Sequence, residues 1–360
     1  MSVQVSYKKQ IAFFIILGII FLAVVEITIR IYDYNFPNCR FLESEVFGDI
    51  DHDLRLDICR DNSGVKWETD PLHLIPNQNF KTINVNSDGF RGNELQIKPD
   101  YRIFVIGGST TFGVGATSDF STIPYLLQVK INEKFTNHKI EVINAGTPQA
   151  YSFTESRLIK EKILSHNPDM LIIYDGWNDL QHDYGLYSEG TDPILTDKII
   201  RFIGKSDYVT PKVLLSHYFN LKYDSTNVIK FDYKYMDKKI ISWKNTWQEI
   251  CGLGEEYNFE TVITLQPLVG TGNKVLTLEE QTHFEKYDGD SKIFHYSSYA
   301  SALNELDTKC SMISDLRNVF DTNSETVFYD FGHLGDNGNR IVANYLYERI
   351  LPIVSEQITN

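Results

Sequence analysis

The 360-residue sequence is short of positive charge, with 34 Lys and Arg against 48 Asp and Glu and a formal net charge of −14. Nucleic-acid binding draws its affinity from Lys and Arg set against phosphates, and no basic patch interrupts the acidic background, so that class is excluded. Cysteine is scarce too. Cys39, Cys59, Cys251 and Cys310 are too few for a disulfide-built scaffold, and the lack of any CxxC removes thioredoxin-like and zinc-ribbon readings. In an oxidising compartment the expected pairs are Cys39–Cys59 and Cys251–Cys310; the alternative is four buried thiols. Internal repeats and low-complexity tracts are missing. What remains is ordinary: 42% hydrophobic and 13% aromatic residues supply a core, and 23% charged residues rule out wholesale disorder.

Long apolar runs are also rare, with one exception. Ile11–Val25 (IAFFIILGIIFLAVV) carries no charge, and beyond Glu26 the residues Ile27, Thr28 and Ile29 extend it. A spanning helix needs about 20 mostly apolar residues. No small-x-small cleavage site follows, as a removed signal peptide requires, and a soluble helix of this length would show a polar face. The expectation is an uncleaved anchor over 11–31, preceded by a cytoplasmic tail over 1–10. Lys8 and Lys9 favour that orientation, whereas Arg30 and Arg40 weigh against it. The bulk of the chain, and any catalytic domain, is expected outside the cytoplasm, at the cell membrane.

Residues 32–100 are rich in Asn, Asp and Pro and read as a stalk and cap. From 101 to 360 short apolar runs alternate with helical periodicity. Strands are expected over Arg102–Gly107, Lys139–Asn144, Asp169–Tyr174 and Glu260–Gln266, with a short fifth over Val327–Tyr329. Helices are expected over Ile123–Phe135, Ser156–Leu164, Ser242–Tyr257 and Gly338–Leu351. Such alternation implies a parallel sheet with helices on both faces, and ligands then bind at the carboxyl ends of the strands. Residues 181–241 break the alternation and read as an insertion that shapes a substrate site or a lid.

The first strand ends in Gly107-Gly108-Ser109-Thr110-Thr111-Phe112-Gly113. A phosphate-cradling P-loop needs a lysine where Val114 stands, and a dinucleotide fingerprint needs a glycine where Ser118 stands. The GxSxG elbow fails at Thr111. Further along come Asn144-Ala145-Gly146, then Gly176-Trp177-Asn178-Asp179, and finally Asp330-Phe331-Gly332-His333. Glycine lets backbone approach a reacting atom, and an Asn amide donates through its NH₂ group. An Asp three residues before a His can hold the imidazole tautomer, leaving the other nitrogen to deprotonate Ser109. Asp179 is expected to cap the next segment. The other eight of the nine histidines show no metal-ligand spacing.

With these four blocks in order over residues 101–350, the chain resembles the SGNH hydrolases, or GDSL-type esterases. Gly108 stands where that family usually has the Asp of its GDS block. The resemblance implies an α/β class fold, a three-layer α/β/α sandwich with a five-stranded parallel sheet, here preceded by one transmembrane helix. It implies Ser109 as nucleophile, His333 as general base and Asp330 as its orienter. The implied oxyanion hole comprises the backbone N–H groups of Ser109 and Gly146 with the Asn178 side chain. No metal or cofactor is expected. Asn86–Gly92 resembles a stretch often found upstream in anchored members; Arg91 is expected to pack the cap onto the sheet, with lining the site as the alternative. The implied function is a membrane-anchored serine esterase acting on an O-acyl or O-acetyl group of a cell-surface glycan, or on a similar small ester. An O-acyltransferase using the same site and a non-catalytic binding protein on the same fold are the alternatives.

Overall fold

In a computed structural model of the chain, the described residues are 6–37, 39, 43–69, 72–181, 208–215, 233, 235–306 and 308–359. They fall into two compact units, one within 1–39 and 185–227, the other within 40–184 and 228–360.

The first unit contains helix α1 (Tyr7–Asn35), which covers the expected anchor. Its mean hydropathy reaches 2.8 over 18 residues, and none of that window is buried in the protein. At 29 residues the helix is about 43 Å long, against a hydrocarbon core of about 30 Å. It is therefore long and apolar enough to cross a membrane. The charge that interrupts it is compensated locally: Glu26 accepts from the Val209 and Thr210 backbone N–H groups at 2.7 and 3.0 Å and from Arg30 Nε at 2.8 Å.

In the second unit, the residues from Glu43 to Asp100 fold against the sheet domain. Helix α2 (His52–Gly64) starts where the Asp51 carboxylate accepts from the Asp53 N–H. It leads into two antiparallel pairs, β1 (Trp67–Thr69) with β2 (Leu72–Leu74) and β3 (Gln78–Asn79) with β4 (Asn84–Val85). Val65, Leu74, Ile83 and Val85 close on Phe112, a residue of the segment that follows the first sheet strand.

Five parallel strands form the main sheet: β5 (Tyr101–Gly107), β6 (Ile140–Gly146), β7 (Met170–Asp175), β8 (Glu260–Leu265) and β9 (Met312–Asp315), in the order β6-β5-β7-β8-β9. The central strands are near-continuous apolar runs because helices cover both faces of a parallel sheet. Helix α4 (Ile123–Lys134) packs with the C-terminal helix α10 (Asp336–Thr359), and α5 (Ser152–Glu161), α7 (Met236–Tyr257) and α9 (Gly289–Asn304) pack in succession. The architecture is the expected three-layer α/β/α sandwich. From β5 the chain moves outward to β6 and then crosses back to β7, which makes the carboxyl ends of β5 and β7 the switch point of the sheet.

Three expectations need correction. The fifth strand is Met312–Asp315, a four-residue edge strand too short and polar to stand out. Val327–Tyr329 is buried but pairs only through the Phe328–Leu334 bridge, within the turn that presents Asp330 and His333. Helices α8 (Leu278–Lys286) and α9 were not expected, although Thr277 and Glu280 form a capping box at the start of α8. Of the 181–241 insertion, 182–207, 216–232 and 234 lie outside the described residues, and α7 already begins at Met236. Cys251 of α7 is bonded to Cys310, and no free cysteine occurs among the described residues.

Candidate active site

Strand β5 ends at Gly107, and after Gly108 the chain turns into the one-turn helix α3 (Ser109–Phe112), with Ser109 as its first residue. The turn closes at Gly113, whose φ of 92° lies in the left-handed region that favours glycine. Arg91 grips the far end of α3. Its Nη1 donates to the Phe112 and Gly113 carbonyls at 3.0 and 2.9 Å, Nη2 to Thr82 O at 3.0 Å, and Nε to Asp119 at 2.7 Å. Orphan carbonyls at a helix end are thus met by a fully buried guanidinium. The residues before the sheet therefore brace the turn that carries Ser109, a more specific role than packing alone.

Ser109 Oγ lies 2.7 Å from His333 Nε2, and His333 Nδ1 lies 2.7 Å from Asp330 Oδ2. Residues separated by more than 200 positions thus form one hydrogen-bonded chain: Ser109 O–H donates to the imidazole, and Nδ1–H donates to the carboxylate. The other Asp330 oxygen accepts the Gly332 and His333 backbone N–H groups at 2.9 and 2.8 Å, which fixes the turn. Burial would raise the Asp330 pKa, but the electrostatic attraction of His333, the His333 hydrogen bond and these two N–H groups outweigh it and hold the carboxyl well below its ordinary range. The Tyr329 ring stacks on the imidazole at 5.6 Å and 10°, and its hydroxyl donates to Val114 O at 2.9 Å. His333 is thereby held by a hydrogen bond at each ring nitrogen and by a ring on its face.

Helix α6 (Trp177–Gln181) follows β7 and brings Asn178 to the same edge. Its Nδ2 donates to Ala150 O at 2.6 Å, which leaves the second amide proton for a ligand. A Cβ on Gly108 would lie 2.5 Å from that Nδ2, so the amide sits directly beside the Ser109 turn. This contact accounts for glycine at 108: a side chain there would meet Asn178. The Ser109 N–H, at the first helical position, points from a helix N-terminus and is a natural donor to an anion.

Gly146 does not match the role the resemblance gives it. Its N–H donates to Asn144 Oδ1 at 3.0 Å, and a Cβ there would lie 2.1 Å from Phe112 N. It is a close-packing glycine that lets α3 lie against β6. In the loop beyond it, Gln149 holds a φ of 68°, unusual for a glutamine, just before the Ala150 carbonyl that binds Asn178. Nothing in the sequence announces that backbone.

Beneath Asn178 lies a buried polar layer. Asp179 accepts from the Ser152 N–H at 3.0 Å and from the Ser152 hydroxyl, so it ties α6 to the start of α5. Asp175 accepts from Trp243 Nε1 at 3.0 Å. Glu155 is fully buried with neither carboxyl oxygen hydrogen-bonded. Burial first, then the charges of Asp175 and Asp179, push its pKa well above the ordinary value. Among the described residues, no cluster of His, Cys, Asp and Glu is arranged to hold a metal ion.

No family model matches the sequence, and no curated protein matches it. Among solved structures, the chain shows some likeness to the following three. An acetyl xylan esterase, AlAXEase, shares 18% identity at a TM-score of 0.40, over 69% of this chain and 99% of that one. Axe2, an acetylxylan esterase from Geobacillus stearothermophilus, shares 13% at 0.42, over 71% and 96%. LAE5, an alpha/beta hydrolase enzyme from the metagenome of Lake Arreo, Spain, shares 12% at 0.42, over 69% and 94%. At such identities the chemistry has to be read from the side chains.

Proposed function

We propose that this chain is a membrane-anchored serine esterase of the SGNH type. The observation that carries the reading is the continuous Ser109–His333–Asp330 hydrogen-bonded chain, with both side-chain links at 2.7 Å. Ser109 Oγ attacks the ester carbonyl carbon as His333 Nε2 takes its proton, and Asp330 stabilises the imidazolium that forms. The tetrahedral oxyanion is met by the Ser109 N–H and the free Asn178 amide proton, donors that typically contribute about 3–4 kcal/mol each to such a barrier. Collapse releases the alcohol, protonated by His333, and leaves an acyl group on Ser109. Water, deprotonated by His333, then frees the acid and restores the serine.

Helix α1 would hold the domain at a membrane, with Lys8 and Lys9 on the cytoplasmic side. A disulfide-bonded Cys251–Cys310 favours an oxidising compartment for the catalytic unit, hence the outside of the cytoplasm. There the substrate is an O-acylated surface glycan or a similar small ester. The test uses the full-length chain in detergent with a short-chain aryl acetate. Hydrolysis by wild type that is absent in Ser109→Ala supports the reading. Equal rates for the two proteins would sink it. Adding a glycan acceptor separates hydrolysis from acyl transfer, which would appear as acylated acceptor.

A further inference from the structure

Helix α9 carries a lysine into the flank of the site. Lys292 is fully buried, and its Nζ lies 4.4 Å from the centre of the Phe331 ring, 4.5 Å from that of Trp177 and 4.8 Å from that of Tyr287. The Trp177 and Phe331 rings stack on each other at 5.2 Å and 23°, and Tyr287 tilts against Phe331 at 5.9 Å. Two of these rings are chain neighbours of residues in the site: Trp177 precedes Asn178, and Phe331 follows Asp330. At Gly332 the loops come so close that a Cβ would touch the Trp177 indole at 3.4 Å. The Phe331 carbonyl is fixed in turn by the Val269 N–H at 3.0 Å.

An ammonium is attracted to the faces of aromatic rings, most strongly where water is excluded. A residue that served only to fill this space would be apolar, because burying a charge is costly. We propose that Lys292 is a positioning residue: its ammonium, held by Trp177, Phe331 and Tyr287, ties the turn bearing Asn178 to the turn bearing Asp330 and His333. Asn178 and the Asp330–His333 pair lie on segments about 150 residues apart in the chain, and one cation contacting rings beside both keeps them in register. The charges of Asp330 and Asp288 also act on it. Burial lowers its pKa to about 7 against the pull of those two carboxylates, so the test is run at pH 6, where the ammonium predominates. The kinetic consequence rests on the esterase reading; the structural link does not.

The test compares full-length wild type with Lys292→Met, which removes the charge at nearly constant length, and with Lys292→Arg, which keeps a cation. In Lys292→Met, kcat on the aryl ester is expected to fall about 10-fold or more at a KM within about twofold, since small misplacements of reacting groups cost rate rather than binding. The melting temperature should stay level or rise, and Lys292→Arg should recover part of kcat. Independently of activity, the downfield proton resonance of the His333–Asp330 hydrogen bond should move or broaden in Lys292→Met. Wild-type kcat with an unmoved resonance overturns the proposal. If wild type neither hydrolyses the ester nor reacts at Ser109, the esterase reading fails, and the resonance alone decides the role of Lys292. Should Lys292→Met not fold, Phe331→Leu keeps the ammonium but removes one ring; the same two readouts decide, and no change in either overturns the proposal.

Discussion

Replacing Arg91 by methionine tests whether the residues before the sheet hold the turn that carries Ser109. The side chain is 1% exposed and its partner Asp119 20% exposed. The substitution removes four hydrogen bonds, one to Asp119 and three to the carbonyls of Phe112, Gly113 and Thr82. Deleting one partner of a buried ion pair costs about 3–5 kcal/mol. Stranded carbonyls would add about 1–3 kcal/mol each if dry, but Arg91 and Asp119 border a groove with Tyr125 and Gln128, where water can enter. Asp119 also keeps the Asn84 N–H as a donor. The net loss should therefore be about 4 kcal/mol, or about 8 °C in melting temperature for a domain of this size. The helix released is the one that begins with Ser109, so kcat on the aryl ester, measured at 20 °C where the variant stays folded, should fall about 10- to 100-fold. Burial already holds the Asp119 carboxyl above its ordinary range, and loss of the cation raises it further. The variant can relieve its stranded charge by protonation, so the stability penalty should be smaller at pH 5 than at pH 8. Arg91→Lys, which keeps a charge but loses the fork, should fall between the two. A melting temperature within about 2 °C of wild type with kcat within about twofold would refute the reasoning, since neither the pair nor the helix brace would then matter.

Glu155→Gln tests the buried carboxyl layer. The folded protein keeps this carboxyl protonated above the pH at which the unfolded chain releases its proton, so its contribution to stability falls as pH rises through and above the ordinary carboxyl range. The glutamine variant does not titrate there; scanning fluorimetry from pH 5 to 8 should show it gaining on wild type as pH rises, by at most about 1.4 kcal/mol per pH unit, whereas parallel curves would count against the assignment. Replacing Cys251 and Cys310 together by serine opens a loop of sequence separation 59 and should cost about 4 kcal/mol on the chain-entropy estimate, read as a lower denaturation midpoint with little change in kcat. An unchanged midpoint would mean that the crosslink constrains little in the unfolded chain.

The sheet was legible because parallel strands buried on both faces write themselves as apolar runs, as in RIFVIG and MLIIY. Met312–Asp315 carries no such run, and its place in the sheet comes from pairing with β8. The Ser109, Asn178 and Asp330–His333 blocks were legible because each follows a strand or forms a short turn of fixed spacing. Gly146 misled because a glycine that avoids a collision and one that exposes its N–H look alike in sequence. Arg91 was visible as a residue but not as a brace on α3, since its partners lie 9 to 28 positions away. Lys292 was invisible: a lysine in a helix reads as solvated, and only tertiary packing encloses it in rings.

The central claim is that Ser109 is an activated nucleophile. Treating the full-length protein in detergent with a fluorophosphonate and mapping the adduct by mass spectrometry tests it most directly. The expected result is one phosphonylated residue, Ser109, with labelling abolished in Ser109→Ala. Folded wild-type protein that stays unlabelled, or an adduct that persists in Ser109→Ala, would contradict it.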